Sequence, residues 1–297
     1  MFYFASKTHN SLNGVEYRPE LIHPALCVNP YYPVTVHDGA QFMIDSGAFQ
    51  DVGENTRLSF PHALNRQLAF EKKLTPDHRP AYAIVSYDRL VDEQFNGIAQ
   101  IKERVPLELS APYIEETIKA SEYLARKRRD LWPRKLILSC QGTTTDQYLD
   151  CLNSILQVAQ PGDIIGLGGF CIISKSKEYE RQFYDVINKA FPIIASHGLK
   201  QVHIFGVGII RVLVQSEMLA QRYNLTCSYD TSSYEVNAVM GRVFDPLNIS
   251  LTSCFKKDQK KAGYTPASLA YFNIKMINEF WANFSILPVS DIVAGCD

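Results

Sequence analysis

Along the chain, short apolar runs alternate with longer stretches in which apolar positions recur every three or four residues. The short runs at residues 42–44, 82–86, 136–139, 164–167, 202–205 and 225–228 have the length and apolar continuity of buried strands, and residues 1–5 offer another. The longer stretches predict helices. In residues 146–158, Tyr148, Cys151, Leu152, Ile155 and Leu156 mark one face at i, i+3, i+4, i+7 and i+8, with Thr145 or Asp146 placed to cap. Residues 177–195, 210–222 and 266–284 read the same way, the last with Pro266 in the first turn after Thr265. Repeated strand-then-helix order predicts a parallel sheet. A chain of 297 residues suits a single α/β domain, residues 1–297, folded as a (β/α)8 TIM-type barrel. An open doubly wound sheet is the structural alternative. The segment around Gly14, Asn29-Pro30 and Pro33 is irregular and yields no assignable element.

In a parallel barrel, residues just past the strand C-termini converge on one pocket. Here those ends read Asp45-Ser46-Gly47, Asp88, Gln141-Gly142, Gly166-Leu167-Gly168-Gly169-Phe170, Gly206-Val207-Gly208 and Asp230. Three carboxylates, an amide and bare backbone amides suit a flat polar heterocycle, because glycines allow close approach and Asp and Gln match donors and acceptors on a ring edge. Each piece also has a plain structural use. A strand-end Asp caps helices, Gly-rich ends make tight turns, and Phe49 and Phe170 are ordinary core residues. The joint pattern favours a barrel enzyme acting on a glycosidic bond.

Composition narrows the partners. The 46% apolar content supports a full core. A net charge of −1 and a pI near 6.7 mean that any nucleic-acid surface must be a local one. The seven cysteines form no C-x-x-C pair and no zinc-like group with histidine, which predicts reduced thiols in a cytoplasmic protein. The N-terminus reads as no secretory signal, and no run reaches the ~18 apolar residues of a membrane span. No metal, cofactor or membrane partner is expected, and the oligomeric state is open. His203, on a strand, reads as a packed, hydrogen-bonded core residue.

Asp45-Ser46-Gly47-Ala48-Phe49-Gln50 resembles the D-S-G-G-F-Q motif of the tRNA-guanine transglycosylases, with Ala48 in place of the second glycine. Gly166 to Gly169 is similar to the family's glycine pair, and His203-Ile204-Phe205-Gly206-Val207-Gly208 to its Y-L-M-G-V-G element. Asp88, Gln141-Gly142 and Asp230 fall where the family carries its F-D-E, Q-G-G and F-D-C elements, and Tyr271-Phe272-Asn273-Ile274 resembles its late H-N-L helix. The resemblance implies that Asp230 is the nucleophile on C1′ and Asp45 the acid/base. It implies that Asp88, Gln141, Gly168 and Gly169 bind the guanine-like edge while Phe49 and Phe205 sandwich the ring. Two carboxylates in a double displacement also fit the chemistry of a poor leaving group, since one bonds to C1′ and the other moves the proton.

The chain departs from the tRNA enzymes after Asp230. Their C-x-C-x-x-C plus His zinc site is missing, and only Cys254 stands in that region. Lys256, Lys257, Lys260 and Lys261 follow it, either as a solvated loop or as phosphate contacts to a polymer. The acidic residue that follows the family's glycine pair is also missing here. Arg126 to Arg129 sits at a helix C-terminus, where cations favour the dipole. The lost zinc module resembles the short DNA-modifying branch, which replaces guanine in DNA with a 7-deazaguanine base of the preQ0 type. A tRNA transglycosylase with a degenerate zinc module (queuine or preQ1 type), a non-catalytic nucleic-acid-binding paralogue and a barrel hydrolase of small nucleosides are the competing readings.

Overall fold

The computed structural model describes residues 1–6, 25–32, 36, 39–75, 77–92, 94–95, 101–245, 249, 252–254 and 265–284. Eight parallel strands close a barrel: β1 (Phe2–Ser6), β2 (Ala25–Val28), β3 (Gln41–Ile44), β4 (Ala83–Val85), β5 (Lys135–Cys140), β6 (Ile164–Leu167), β7 (Gln201–Ile204) and β8 (Thr226–Thr231). Spatial order follows chain order, and β8 closes on β1 with Phe4 beside Asp230. Helices follow β3 to β8: α1 (Ala48–Gly53), α2 (Phe60–Glu71), α3 (Leu107–Arg126), α4 (Thr145–Leu156), α5 (Lys177–Ser196), α6 (Ile210–Arg222), α7 (Ser233–Val239) and α8 (Pro266–Asn283). Short antiparallel ribbons pair Gln94–Phe95 with Ile101–Glu103 and Arg242–Phe244 with Thr252–Cys254. This is the TIM-type α/β barrel that the alternation predicts. Among the described residues no helix is long and apolar enough to cross a membrane.

The strands sort their side chains by the period of two. Phe4, Ala25, Cys27, Met43, Ala83, Val85, Ile137 and Ile164 point inward as a small interior cluster. Their neighbours Leu26, Phe42, Ile84, Leu136, Leu138, Ile165, Val202 and Ile204 point outward into the larger layer beneath the helices. On α4 the buried face is Tyr148, Cys151, Leu152, Ile155 and Leu156, as its spacing requires, but the cap is Thr144, whose side chain accepts from the Gln147 amide. That corrects the expected Thr145 or Asp146 cap: both lie in the first turn, and Thr144 is the residue with extended backbone. Thr265 and Ser268 form a reciprocal capping box on α8, with Pro266 in its first turn. Asn273 of α8 is fully buried, accepting from Phe244 N and donating to the Tyr234 and Arg242 carbonyls, so it fastens the last helix to the segment after β8. Arg128 pairs with Asp163, just before β6, at 2.5 Å and donates to the Ala125 carbonyl in the last turn of α3 and the Val158 carbonyl after α4. Within the basic run 126–129, Arg128 therefore works structurally, at the barrel face opposite the strand C-termini. Lys256, Lys257, Lys260 and Lys261 lie outside the described residues.

Candidate active site

Carried one or two steps beyond the interior cluster, the inward parity of the strands reaches Ser6, Asn29, Asp45, Gln141, Gly168, Phe205 and Asp230. Asp88 joins them by breaking parity: its amide bonds the Ser86 carbonyl at 2.9 Å in a tight turn after β4. A cavity of about 500 Å³ opens here, within the range of small-ligand sites. Asp45, Phe49, Asp88, Gly168, Gly169, Phe205 and Asp230 all line it.

Asp45 stands on the loop after β3 and is fixed largely from outside the barrel. Arg66 of α2 donates to the Ser46 carbonyl at 2.7 Å, and Gln67 donates to the Asp45 carbonyl at 3.1 Å. Arg66 is itself held by a bidentate pair with buried Asp51 at 2.8 and 2.9 Å, which also accepts from the Tyr87 and Tyr31 hydroxyls. Gly47 is required in this loop, because its φ is +76° and a Cβ would meet the Arg66 guanidinium at 2.6 Å. The Asp45 carboxyl accepts from Asn29 at 2.7 Å and from the Ser46 amide at 2.8 Å. Burial, and then the charge of Asp230, push its pKa up to about 6 against these donors.

Asp230 differs from the expected strand-end residue, since it lies within β8, which runs on to Thr231. Its carboxylate receives the Ser6 hydroxyl at 2.7 Å, the Gly206 amide at 3.2 Å and His203 Nε2 at 3.1 Å. His203 is fully buried, as its strand position predicts, yet it faces the candidate nucleophile. Ser6, Asn29 and His203 are the polar partners that sequence reasoning did not single out for the site. For Ser6 and His203 the readable signal was a polar residue at inward parity near a strand end.

Asp88 is buried, and burial followed by the charge of Asp45 raises its pKa to about 7. The Gln141 side chain donates to Asp88 and accepts from Val91 N at 2.8 Å. Gln141 is fully buried behind the wall and orients Asp88, whereas the resemblance implies direct contact with a ring edge. Gly168 packs over it, so close that a Cβ there would meet the Gln141 side chain at 3.2 Å. Phe205 lies above Gly166, where a Cβ would meet its ring at 2.5 Å, so that glycine makes room for the aromatic floor. Phe170 turns away into the core against Tyr148 and Phe183. The loop carrying Gly169 is tied down by Arg104, which donates to the Gly169 carbonyl at 2.5 Å and pairs with Asp92.

No protein-family profile matches this chain, and no curated protein matches it in sequence. Function is therefore read from the motifs and from this geometry. The site can do acid/base and nucleophilic chemistry with three carboxyls in one cavity, two of them with pKa values raised toward neutrality, beside aromatic side chains and the Gly168-Gly169 backbone.

Proposed function

We propose that the protein is a base-exchange transglycosylase that replaces guanine in DNA with a 7-deazaguanine through a covalent glycosyl-aspartate. The observation that carries this reading is the pairing of Asp45 and Asp230 in one cavity. The first carboxyl is tuned to about 6 by burial and by the charge of the second, which is anchored by three donors. Such a pair divides the work of a double displacement, in which Asp230 bonds to C1′ and Asp45 protonates the departing base. Asp45 then takes the proton of the incoming base, so one residue near neutrality serves both halves. Phe49 and Phe205 offer aromatic rings, Asp88 an acceptor for the N–H edge, and Gly168 and Gly169 a side-chain-free wall that lets the ring approach the backbone closely. A target in duplex DNA must leave the stack to enter this pocket. DNA is preferred over tRNA because Cys254 alone stands where the tRNA enzymes carry their zinc ligands.

The test incubates the purified protein with 7-cyano-7-deazaguanine and either DNA or tRNA, then digests the polymer and identifies nucleosides by mass spectrometry. A modified 2′-deoxynucleoside is the expected product. A modified ribonucleoside transfers the reading to tRNA. Neither product, with Asp45 and Asp230 intact, overturns base exchange.

A further inference from the structure

We propose that His203 is a positioning residue that, with the Gly206 amide, clamps Oδ1 of Asp230 and leaves Oδ2 as the attacking atom. This rests on the transglycosylase reading and deepens it. A carboxylate offers about two lone-pair sites on each oxygen. Oδ1 accepts both His203 Nε2 and Gly206 N, while Oδ2 accepts the Ser6 hydroxyl and, among the described residues, nothing else. One lone pair therefore stays free, on Oδ2.

The hydrogen bonds around His203 assign its proton. Nε2 faces a carboxylate oxygen, so it must carry hydrogen to bond there. Ser228 Oγ lies 3.0 Å from Nδ1 and 3.2 Å from the Val202 carbonyl. If its hydroxyl donates to Nδ1, the ring is the neutral Nε2–H tautomer. If it donates to Val202, Nδ1 carries a proton too and the ring is an imidazolium. Nε2 is protonated in both cases. Edge-on packing against Phe205 at 4.6 Å and Phe4 at 5.9 Å holds the ring in that orientation.

In the first half-reaction the Oδ2–C1′ bond forms as the C1′–N9 bond breaks. The bonding pair leaves with the base, which takes a proton from Asp45. Oδ1 becomes the ester carbonyl oxygen with its two donors already in place. In the second half the incoming base attacks C1′ and passes its proton to Asp45 as the C1′–Oδ2 bond breaks. Negative charge then returns to a carboxylate whose Oδ1 still accepts both hydrogen bonds. Donors set in advance where charge reappears resemble those of an oxyanion hole.

Two measurements test this. Long-range proton–nitrogen correlation on protein with 15N-labelled histidine reads whether His203 Nε2 carries hydrogen, whatever the activity. Denaturing gels read covalent adduct formed with a guanine-containing oligodeoxynucleotide by wild type, His203→Leu and His203→Gln. The expected result is a protonated Nε2, an adduct rate lowered about 10²–10³-fold in His203→Leu, and recovery to within about tenfold in His203→Gln, which restores an N–H donor. An unprotonated Nε2 overturns the clamp, as does a wild-type rate in His203→Leu or equal loss in both variants. A protonated Nε2 with no adduct from wild type overturns the transglycosylase reading instead, and the Oδ2 assignment with it.

Discussion

Asp45 and Asp230 share a cavity but are built into it in different ways. Asp45 sits on a loop propped from outside by Arg66 and Gln67 of α2, in surroundings that lift its pKa to about 6. Asp230 is part of a strand and is gripped from within the barrel by Ser6, His203 and Gly206. A carboxyl that changes protonation near neutral pH is suited to moving protons. One with donors on both oxygens, carried by a rigid strand, is suited to bonding a substrate in fixed geometry. What surrounds each residue, rather than its type, sets the two carboxyls apart.

The largest test of that division removes each group in turn. Asp230→Asn should lower exchange by about 10⁴-fold or more and abolish the adduct, whereas Asp45→Asn should lower exchange by about 10²–10⁴-fold. The two separate on an oligonucleotide carrying 7-methylguanine, whose cationic base departs without a proton. Adduct formation with it should persist in Asp45→Asn and stay absent in Asp230→Asn, and equal loss in both would erase the distinction. Next in size, Arg66→Ala should slow exchange about 10²-fold by letting the Asp45 loop shift. A single-turnover rate matching wild type would show that the loop needs no support from α2.

The electrostatic half of the comparison can be read without substrate. The Asp45 pKa is raised above its ordinary 3.8, so the folded state holds more protons than the unfolded one between about pH 4 and pH 6. Stability linked to this group is thus present at low pH and lost as pH rises through that window. Asp45→Asn should therefore stabilise the protein by up to about 3 kcal/mol at pH 8 and by almost nothing at pH 4, measured by urea unfolding. In the same vein, Asp230→Asn should lower the Asp45 pKa in a carbon-13 carboxyl titration, since it removes the neighbouring charge. Smallest is the effect of replacing Lys256, Lys257, Lys260 and Lys261 by Ala. It should leave both carboxyls untouched and flatten the salt dependence of duplex binding, by about 0.9 in log–log slope for each phosphate no longer neutralised. An unchanged slope would return these lysines to an ordinary solvated loop.

Much of this architecture can be read from periodicity, because side-chain direction is a local property of the backbone. Short apolar runs located seven of the eight barrel strands, and the 3.6 period found the buried face of α4 residue for residue. The ends of those strands contained Asp45, Asp88, Gly168, Phe205 and Asp230, independently of any tertiary pairing. The strand that escaped, Ala25–Val28, is four residues buried on both faces, so it shows no alternation against its irregular flanks. Closure of β8 on β1 was also beyond local reading, since it depends on pairing residues more than two hundred positions apart.

The chain by itself determined which carboxyls stand at the mouth of the barrel. Tertiary structure decided what each can do. Ser6 and His203 reach Asp230 from two other strands, Asn29 and α2 reach Asp45, and Gln141 spans from Asp88 to the Val91 amide rather than facing the cavity. Protonation behaviour follows from desolvation and from charges brought together across the barrel, quantities that exist only once distant segments are packed.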